Sequence, residues 1–304
     1  MKPRRSVLTV PGHMEKMHKK AAQTETDVIL LDLEDSVPLA AKEKARNLVV
    51  HSLLNLEWNA KSVTVRINSL DTPFGYQDLI VVAEKAGQRL DAVVVPKVDH
   101  VQDIHFVSRL LDGVEMRLGF THSIGIEAII ESARGLEAVS ETAGSSERMK
   151  SLVFGVADYS ASIGARLVSI SGHGEKEEEI YSGHRWNFVL SRMVMAARAH
   201  GLMVIDAPFG NFKDSEGLKR SAVMACALGC DGKWAIHPDQ IDIINQVFSP
   251  SVDDIQRARK VLQAYEEAEA GGLGAASLEG RMIDQATVRL AKQLWEQARF
   301  LKLV

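Results

Sequence analysis

The sequence predicts a (β/α)8 barrel that carries a C-terminal helical lid, and three observations support this fold. Short apolar runs rich in β-branched residues recur eight times, and helical patterns separate them. The runs are almost continuously apolar, which is typical of parallel strands covered on both faces. Polar residues gather where the runs end, and a barrel of this kind has its active site at the carboxyl ends of its strands.

The predicted strands follow the chain at regular intervals. A helical stretch at 38–55 separates the second and third strands, and another at 187–201 ends on Gly201, as a glycine C-cap would. A doubly wound sheet is the alternative, but it usually shows several glycines after its first strand, and "VPGHMEK" contains one. We assign residues 1–250 to the barrel and 251–304 to the extension. The eight strands are predicted at 6–10, 27–33, 62–68, 92–98, 124–130, 151–157, 203–207 and 232–236.

Composition excludes several classes of partner. The net charge of −4 provides no basic field for nucleic acid or for an anionic membrane. The chain has only two cysteines, not in a CxxC pattern, so we expect a reduced, cytoplasmic protein. No apolar run reaches transmembrane length, and we expect no targeting segment at the N-terminus.

Arg66 poses a question, because a strand buried on both faces should not carry a guanidinium without a partner. Other strand ends are also polar, and in a barrel these ends meet at one mouth. We therefore expect Arg66 to face carboxylates and a bound anion. The polar residues predicted at the ends of strands two to eight are Asp32, Glu34, Asp35, Arg66, Asn68, Lys97, Glu131, Asp158, Asp206 and His237.

Two of these acids predict a metal site. Glu131 and Asp158 are expected to end adjacent strands, and neither predicted strand contains a basic residue. Two converging carboxylates repel each other unless a cation lies between them. A hard divalent ion with oxygen ligands fits, so we predict Mg²⁺, for which Mn²⁺ could substitute. The alternative is that each acid merely caps the helix that follows it.

Motifs along most of the chain resemble those of the citrate lyase β-subunit-like (HpcH/HpaI aldolase) superfamily. Within it, the malyl-CoA lyase branch, which includes β-methylmalyl-CoA and citramalyl-CoA lyases, is the most similar. The motifs occur in the family's order from Arg4 to the end of the chain. They are "RRSVLTVPG", "VILLDLEDSV", "VRINSLDTPF", "VPKV", "IEAIIESARG", "FGVADYSASIG", "APFGNFKDSEG", "GKWAIHPDQI" and "LEGRMID".

The resemblance implies a reversible, Mg²⁺-dependent lyase. Its substrate would be a 3-hydroxyacyl-CoA such as malyl-CoA, β-methylmalyl-CoA or citramalyl-CoA, and its products a short acyl-CoA and glyoxylate or pyruvate. Arg66 would bind the substrate and stabilise an enolate, and Asp284 would be the acid or base. Glu131 and Asp158 would bind the metal, with Glu34 and Asp35 holding metal-bound water. The substrate and CoA would also contact Thr9, Pro11, Gly12, Lys20, Ala157, Ile236 and His237.

The resemblance further implies a homotrimer or homohexamer in which a lid is shared between subunits. The glycine-rich stretch 270–280 is predicted to be a flexible connection, followed by one more helix that begins near Met282. Asp284 would then reach the site of a neighbouring subunit. The loop 165–186 is expected to help determine acyl specificity.

Other functions stay open at this point. Lys97 could form a Schiff base, although a salt-bridged lysine is the commoner role. His173 and His184 could bind a metal, but most loop histidines are solvated. The same scaffold could hydrolyse the thioester of malyl-CoA, or serve as a non-catalytic subunit of a citrate lyase complex.

Overall fold

The computed structural model describes residues 2–165, 173, 184–270, 276–278 and 280–304. The chain divides into two compact units, Lys2–Asn245 and Gln246–Val304. Most of the loop 165–186 lies outside the described residues, and so does its predicted role in specificity. Within the described part of the chain, no helix is long and apolar enough to cross a membrane.

The larger unit is a closed barrel of eight parallel strands in sequence order, with β8 paired to β1. The predicted fold is therefore confirmed. Each strand is apolar along nearly its whole length, as expected when one face lines the barrel and the other packs against helices. The strands are β1 (Ser6–Pro11), β2 (Val28–Asp32), β3 (Ser62–Arg66), β4 (Ala92–Val95), β5 (Gly125–Ile130), β6 (Met149–Phe154), β7 (Met203–Asp206) and β8 (Gly232–Ala235).

Helices connect the strands on the outside of the barrel. Short 3-10 turns lie next to some of these helices, at Leu39–Ala41, Gly87–Arg89 and Pro238–Gln240. The longest, α4, ends on Gly119 in the left-handed conformation, a common helix stop. The helices of this unit are α1 (Glu15–Ala21), α2 (Lys42–Asn55), α3 (Gly75–Ala86), α4 (Val101–Leu118), α5 (Ala133–Glu137), α6 (Val139–Ala143), α7 (Val156–Ser162), α8 (Asn187–Ala199), α9 (Ser215–Ala227) and α10 (Ile241–Val247).

Packed side chains fill the interior of the barrel. At the amino ends of the strands, the buried Arg4 guanidinium pairs with Glu127, and the Ser151 hydroxyl donates to the other oxygen of Glu127 at 3.0 Å. The barrel is therefore closed at this end by a satisfied polar network. Above it lies an apolar cluster of Val7, Val28, Leu30, Val94, Ile129, Val153, Ile205 and Trp234.

Three predicted strand ends need correction. Strand three was predicted to run to Asn68 but ends at Arg66, so Asn68 follows the strand. Strand four was predicted to run to Val98 but ends at Val95, because Pro96 has no N–H to donate and Lys97 adopts a positive φ of 52°. Strand six was predicted at 151–157 but runs from Met149 to Phe154. Asp158 therefore lies in the first turn of α7, not at a strand end.

The smaller unit pairs two helices with a short hairpin. Its helices α11 (Val252–Ala270) and α12 (Gln285–Phe300) pack through Ala258, Val261, Val288 and Ala291. The confirmed extension differs in detail from the prediction. The stretch expected to be a flexible connection contains β9 (Ala276–Leu278), which pairs antiparallel with β10 (Arg281–Ile283). The last helix consequently begins at Gln285, after that hairpin.

Candidate active site

Arg66 is fixed by Asp32, its direct neighbour across the β2–β3 ladder. The guanidinium Nε and Nη2 donate to the two carboxylate oxygens of Asp32 at 2.6 and 2.8 Å. The Trp234 ring lies 5.5 Å from the guanidinium carbon, within the range of a cation–π contact. Burial alone would raise the pKa of Asp32, but Arg66 holds it below its usual value. Arg66 therefore has carboxylate partners, as its sequence context required.

The third guanidinium nitrogen, Nη1, faces a second set of acids. It lies 2.9 Å from Glu34 Oε2 and 3.5 Å from Asp35 Oδ2. The other oxygen of Glu34 accepts from the Lys97 ammonium at 2.8 Å. Burial, which the two cations only partly offset, raises the pKa of Glu34, whereas Asp35 is mostly exposed. This edge of Arg66 is thus the one turned toward the other strand-end carboxylates.

The Lys97 ammonium is charged in this arrangement. Partial burial alone would lower its pKa, but the hydrogen bond to Glu34 and the charge of that group raise it above the ordinary lysine value. A lysine that forms a Schiff base must instead lose its proton easily. The salt-bridged role, which was the favoured alternative for Lys97, agrees with this geometry.

Glu131 follows the last residue of β5 and is buried, with 5% of its surface exposed. Its Oε1 accepts from the main-chain N–H of Lys97 at 2.7 Å. Burial, together with the charges of Glu34 and Asp158, raises the pKa of Glu131 to about 8. A charge on Glu131 is therefore costly among these neighbours, and a bound cation would relieve that cost.

Gly155 makes room for this carboxylate. A Cβ at this position would lie 2.4 Å from Glu131 Oε2 and 2.5 Å from its Cβ. The Gly155 N–H also continues the ladder by donating to Ile130 O at 3.1 Å. A side chain at Gly155 would thus push the acid or its strand aside.

The acids fit a divalent cation that takes only part of its coordination from the protein. Glu131 and Asp158 supply carboxylate oxygens, the ligands that Mg²⁺ prefers, and Asp158 is exposed. Among the described residues, no three His, Cys, Asp or Glu side chains are grouped to hold a metal on their own. A magnesium ion bound by one or two carboxylates would complete its shell with water and substrate oxygens.

Most of the residues expected to contact substrate and CoA lie at or just after the carboxyl ends of β1, β6 and β8, whereas Thr9 lies within β1 and Lys20 in the last turn of α1. The close approach of two backbone segments explains why position 12 is a glycine. The Gly12 N–H donates to Asp32 O at 2.7 Å, and a Cβ would lie 2.5 Å from that oxygen. His237 stacks on Phe212 with ring centroids 4.8 Å apart. Of the remaining residues, Thr9 and Pro11 are half-buried, and Lys20, Ala157 and Ile236 are exposed.

Asp206 does not join this cluster, although it ends β7. Its neighbour Ile205 lies in the interior cluster, so Asp206 points to the outer face of the strand. There it accepts from Lys233 Nζ and lies 3.0 Å from His173 Nε2. Burial would raise the pKa of Asp206, but Lys233 and His173 hold it well below its usual value. His173 is likewise buried, not solvated as expected, and His184 is half-buried.

Asp284 belongs to the smaller unit, where it caps α12. Its Oδ1 accepts from the Thr287 N–H and from the Thr287 hydroxyl, both at 2.9 Å. These hydrogen bonds hold its pKa below the ordinary aspartate value. The exposed carboxylate therefore fulfils the capping role, and its catalytic role stays a prediction.

Comparison with known proteins identifies the family. The model of the HpcH/HpaI aldolase/citrate lyase family matches residues 5–238, which is the barrel with its complete set of strands. This chain belongs to that family. The resemblance found in the sequence is therefore confirmed.

Relatives within the HpcH/HpaI family match over nearly the whole chain. An L-malyl-CoA/β-methylmalyl-CoA lyase from Cereibacter sphaeroides is 39% identical over 99% of this chain and 96% of its own length. A malyl-CoA/β-methylmalyl-CoA/citramalyl-CoA lyase from Chloroflexus aurantiacus is 33% identical over 99% of this chain and 89% of its own. A crystal structure of CitE from Mycobacterium tuberculosis with magnesium, acetoacetate and coenzyme A is 26% identical, covers 98% of each chain and has a TM-score of 0.78.

Three site residues of this HpcH/HpaI member were not singled out from the sequence. Asp32 was named only as a strand-end acid, and its bidentate contact depends on the β2–β3 register. Trp234 looked like an ordinary core residue until its ring was seen beside Arg66. Gly155 lies directly between β6 and the helix that carries Asp158, and this position of a glycine was the one signal available for it.

Proposed function

We propose that this chain is a magnesium-dependent carbon–carbon lyase acting on a 3-hydroxyacyl-CoA. The products would be a short acyl-CoA and a 2-oxo acid. The observation that carries the proposal is the burial of Glu131 beside Glu34 and Asp158, because neighbouring carboxylates repel one another unless a cation lies between them. The activities of the full-length relatives at 39% and 33% identity agree with it.

Arg66 would stabilise the charge that develops during cleavage. When the C2–C3 bond breaks, the hydroxyl loses its proton to solvent, its carbon becomes the carbonyl of the oxo acid, and the bonding electron pair moves onto the thioester as an enolate. Asp32 holds two nitrogens of Arg66, so the guanidinium presents Nη1 without having to reorient. A preorganised donor of this kind typically contributes about 3–4 kcal/mol to catalysis.

Glu131 and Asp158 are the residues we expect to hold the cation, with Glu34 and Asp35 nearby as partners of its water. When bound, Mg²⁺ would act as a Lewis acid toward the hydroxyl and carboxylate oxygens of the substrate. Mn²⁺ is a reasonable substitute because it accepts the same oxygen ligands. Asp284 would give a proton to the enolate carbon and, in the condensation direction, take it back.

The CoA portion would lie along the carboxyl ends of β1 and β8. We assign to it Thr9, Pro11, Gly12 and Lys20 on one side, and Ala157, Ile236 and His237 on the other. We further propose a homotrimer or homohexamer in which Asp284 completes the site of a neighbouring subunit. Size-exclusion chromatography with light scattering measures the mass that distinguishes these assemblies from a monomer.

A product assay tests the activity. The purified protein is incubated with Mg²⁺ and with malyl-CoA, β-methylmalyl-CoA or citramalyl-CoA in turn, and 2-oxo acid and free CoA thiol are measured separately. We expect glyoxylate or pyruvate in equal amount to acyl-CoA, and none after EDTA treatment. Free thiol without an oxo acid would show a hydrolase, and no turnover of any thioester would overturn the proposal. The three substrates differ by little more than a methyl group, worth only about 1–3 kcal/mol in discrimination, so all three are needed.

A further inference from the structure

We propose that Lys97 is a positioning residue that prepares the cation site by fixing two acids at once. Its main-chain N–H holds Glu131, and its ammonium holds Glu34. The inference rests on the proposed function, because it takes Glu131 as a ligand of the divalent cation. It assigns to Lys97 a role that needs both its backbone conformation and its charge.

The backbone of Lys97 supports the first half of this role. Among the described residues, only Lys97 and Lys302 combine a side chain with a positive φ, at 52° and 58°. Lys302 lies just after the last helix, where a left-handed residue is a common way for a helix to stop. Lys97 has no such helix to end. Residues other than glycine keep this conformation only where the surrounding structure imposes it, often at functional sites.

The consequence of this conformation is a hydrogen bond to the acid. In this conformation the Lys97 N–H donates to Glu131 Oε1 at 2.7 Å, and the next N–H, of Val98, donates to Ile129 O at 3.3 Å. The strand connection after β4 is thus tied to the end of β5 on both sides of Lys97. One oxygen of Glu131 is held by the protein, and the orientation of the carboxylate is set before any cation arrives.

The side chain supports the second half. Lys97 Nζ lies 2.8 Å from Glu34 Oε1, while Arg66 Nη1 lies 2.9 Å from Glu34 Oε2. Each carboxylate oxygen of Glu34 therefore lies beside a cation, and we expect this pair of contacts to hold Glu34 in place. Without the ammonium, one positive charge would be lost beside Glu34, and its repulsion of Glu131 would grow. Groups that orient metal ligands in this way typically contribute 10–100-fold to metal affinity.

Four substitutions separate charge from backbone. Lys97→Arg keeps the charge, and Lys97→Met removes it while keeping an unbranched side chain. Lys97→Gly also removes the charge but favours the left-handed conformation, whereas Lys97→Val disfavours it through its branched Cβ. Lys302→Val is the matched control, because it places the same strain at the other left-handed lysine.

The test measures Mg²⁺ affinity of the substrate-free protein by isothermal titration calorimetry, with near-ultraviolet circular dichroism to check folding. We expect Lys97→Met and Lys97→Gly to bind Mg²⁺ about 10-fold more weakly than wild type, and Lys97→Val still more weakly. Lys97→Arg should stay within about threefold, and Lys302→Val should lower thermal stability without changing Mg²⁺ affinity.

Three outcomes would overturn the inference. Folded Lys97→Met and Lys97→Val proteins with wild-type Mg²⁺ affinity would show that neither contact prepares the site. Unchanged Mg²⁺ affinity with a loss of kcat alone would make Lys97 a residue that acts on the substrate. If wild-type protein cleaves the thioester but binds no Mg²⁺, the positioning role fails while the lyase activity stands. Conversely, Mg²⁺ binding that depends on Lys97, without cleavage of any thioester, would leave the positioning role intact and refute the lyase.

Discussion

At the scale of single residues, the site consists of several acids whose charges are partly offset by neighbouring cations. Asp32, Glu34 and Asp35 all lie within 3.5 Å of Arg66. Asp32 forms a bidentate contact with the guanidinium, and Glu34 and Asp35 both lie near Nη1. Among the described residues, no guanidinium or ammonium is hydrogen-bonded to Glu131, whose Oε1 accepts from a main-chain N–H. Substitutions of Arg66 and Glu131 should therefore distinguish the effect of side-chain charge from the effect of side-chain shape.

For Arg66→Lys we expect kcat to fall by about 10²–10³, because a point ammonium cannot reproduce two bonds to Asp32 while presenting a third nitrogen. Steady-state kinetics of the thioester cleavage measure this. Arg46→Lys is the matched control: Arg46 is equally buried and pairs with Asp78 at 2.7 Å, outside the site. It should lose stability but keep kcat. A folded Arg66→Lys enzyme with normal kcat would make Arg66 structural.

Glu131→Gln should stabilise the metal-free protein at high pH. The folded-state pKa of about 8 lies above the ordinary glutamate value of 4.5 in the unfolded chain, so this acid contributes stability below pH 4.5 that is lost as pH rises through 8. The loss is on the order of 1.4 kcal/mol per pH unit in that window, and glutamine, which cannot ionise, avoids it. Calorimetric melting in EDTA from pH 5 to 9 checks this prediction.

Two further results follow from the same acid. Added Mg²⁺ should raise the melting temperature of wild type at pH 8 and leave Glu131→Gln unchanged, because only a cation held by Glu131 offsets its charge. Parallel melting curves of wild type and variant across this pH range would contradict the raised pKa of Glu131.

At the scale of elements, the junctions after the strands determine the site more than the strands themselves. Lys97 follows β4 in a left-handed turn, Glu131 follows β5, and Gly155 joins β6 to α7. Each junction lies against the next one around the barrel. The lining of the mouth is therefore a continuous surface in which a change at one junction displaces its neighbour.

Gly155→Ala should weaken Mg²⁺ affinity about 10–100-fold, because the new methyl group would overlap Glu131 at both its Cβ and its carboxylate. Titration calorimetry gives the affinity. Gly113→Ala is the control, since a Cβ there has nothing within 4 Å inside α4, and it should raise stability by about 0.5–1 kcal/mol. Equal Mg²⁺ affinity in both variants would show that Gly155 does not shape the site.

The elements also show what sequence patterns can and cannot predict. The eight strands were predictable because each is an apolar run between polar turns, and the polar residue at each end followed from the same pattern. The pairing of Asp32 with Arg66 was not, since it depends on the register of two strands. The left-handed Lys97 was not either, because lysine has no intrinsic preference for that conformation. Asp206 shows a different kind of error. It ends a strand and was therefore expected at the mouth, but side chains alternate along a strand, and that of Asp206 points to the outer face.

At the scale of the whole molecule, the open question is how Asp284 would meet the barrel site. In its own unit it is a satisfied helix cap, with both hydrogen bonds made to Thr287. Acting as an acid would require it to give up or share those bonds. Our proposal of a shared site therefore makes the assembly, rather than one chain, the catalytic unit.

Subunit mixing tests the shared site. Asp284→Asn keeps a good helix cap but removes the titratable acid, so it should fold normally and lose nearly all activity. Glu131→Gln should be equally inactive alone. Refolded together, the two chains should regain a fraction of wild-type activity, because some sites would combine an intact Asp284 with an intact Glu131. Mixed oligomers that form and stay inactive would place Asp284 within its own chain or outside the reaction.

The polar network of Arg4, Glu127 and Ser151 at the amino end of the barrel affects how substrate enters and products leave. Among the described residues that end is shut and the interior is filled, so we expect substrate and products to pass through the mouth at the carboxyl ends of the strands. A small oxo acid held near Arg66 and Glu131 would sit behind the much larger thioester. In that arrangement we expect the acyl-CoA to leave first, because the closed amino end of the barrel offers the oxo acid no second exit.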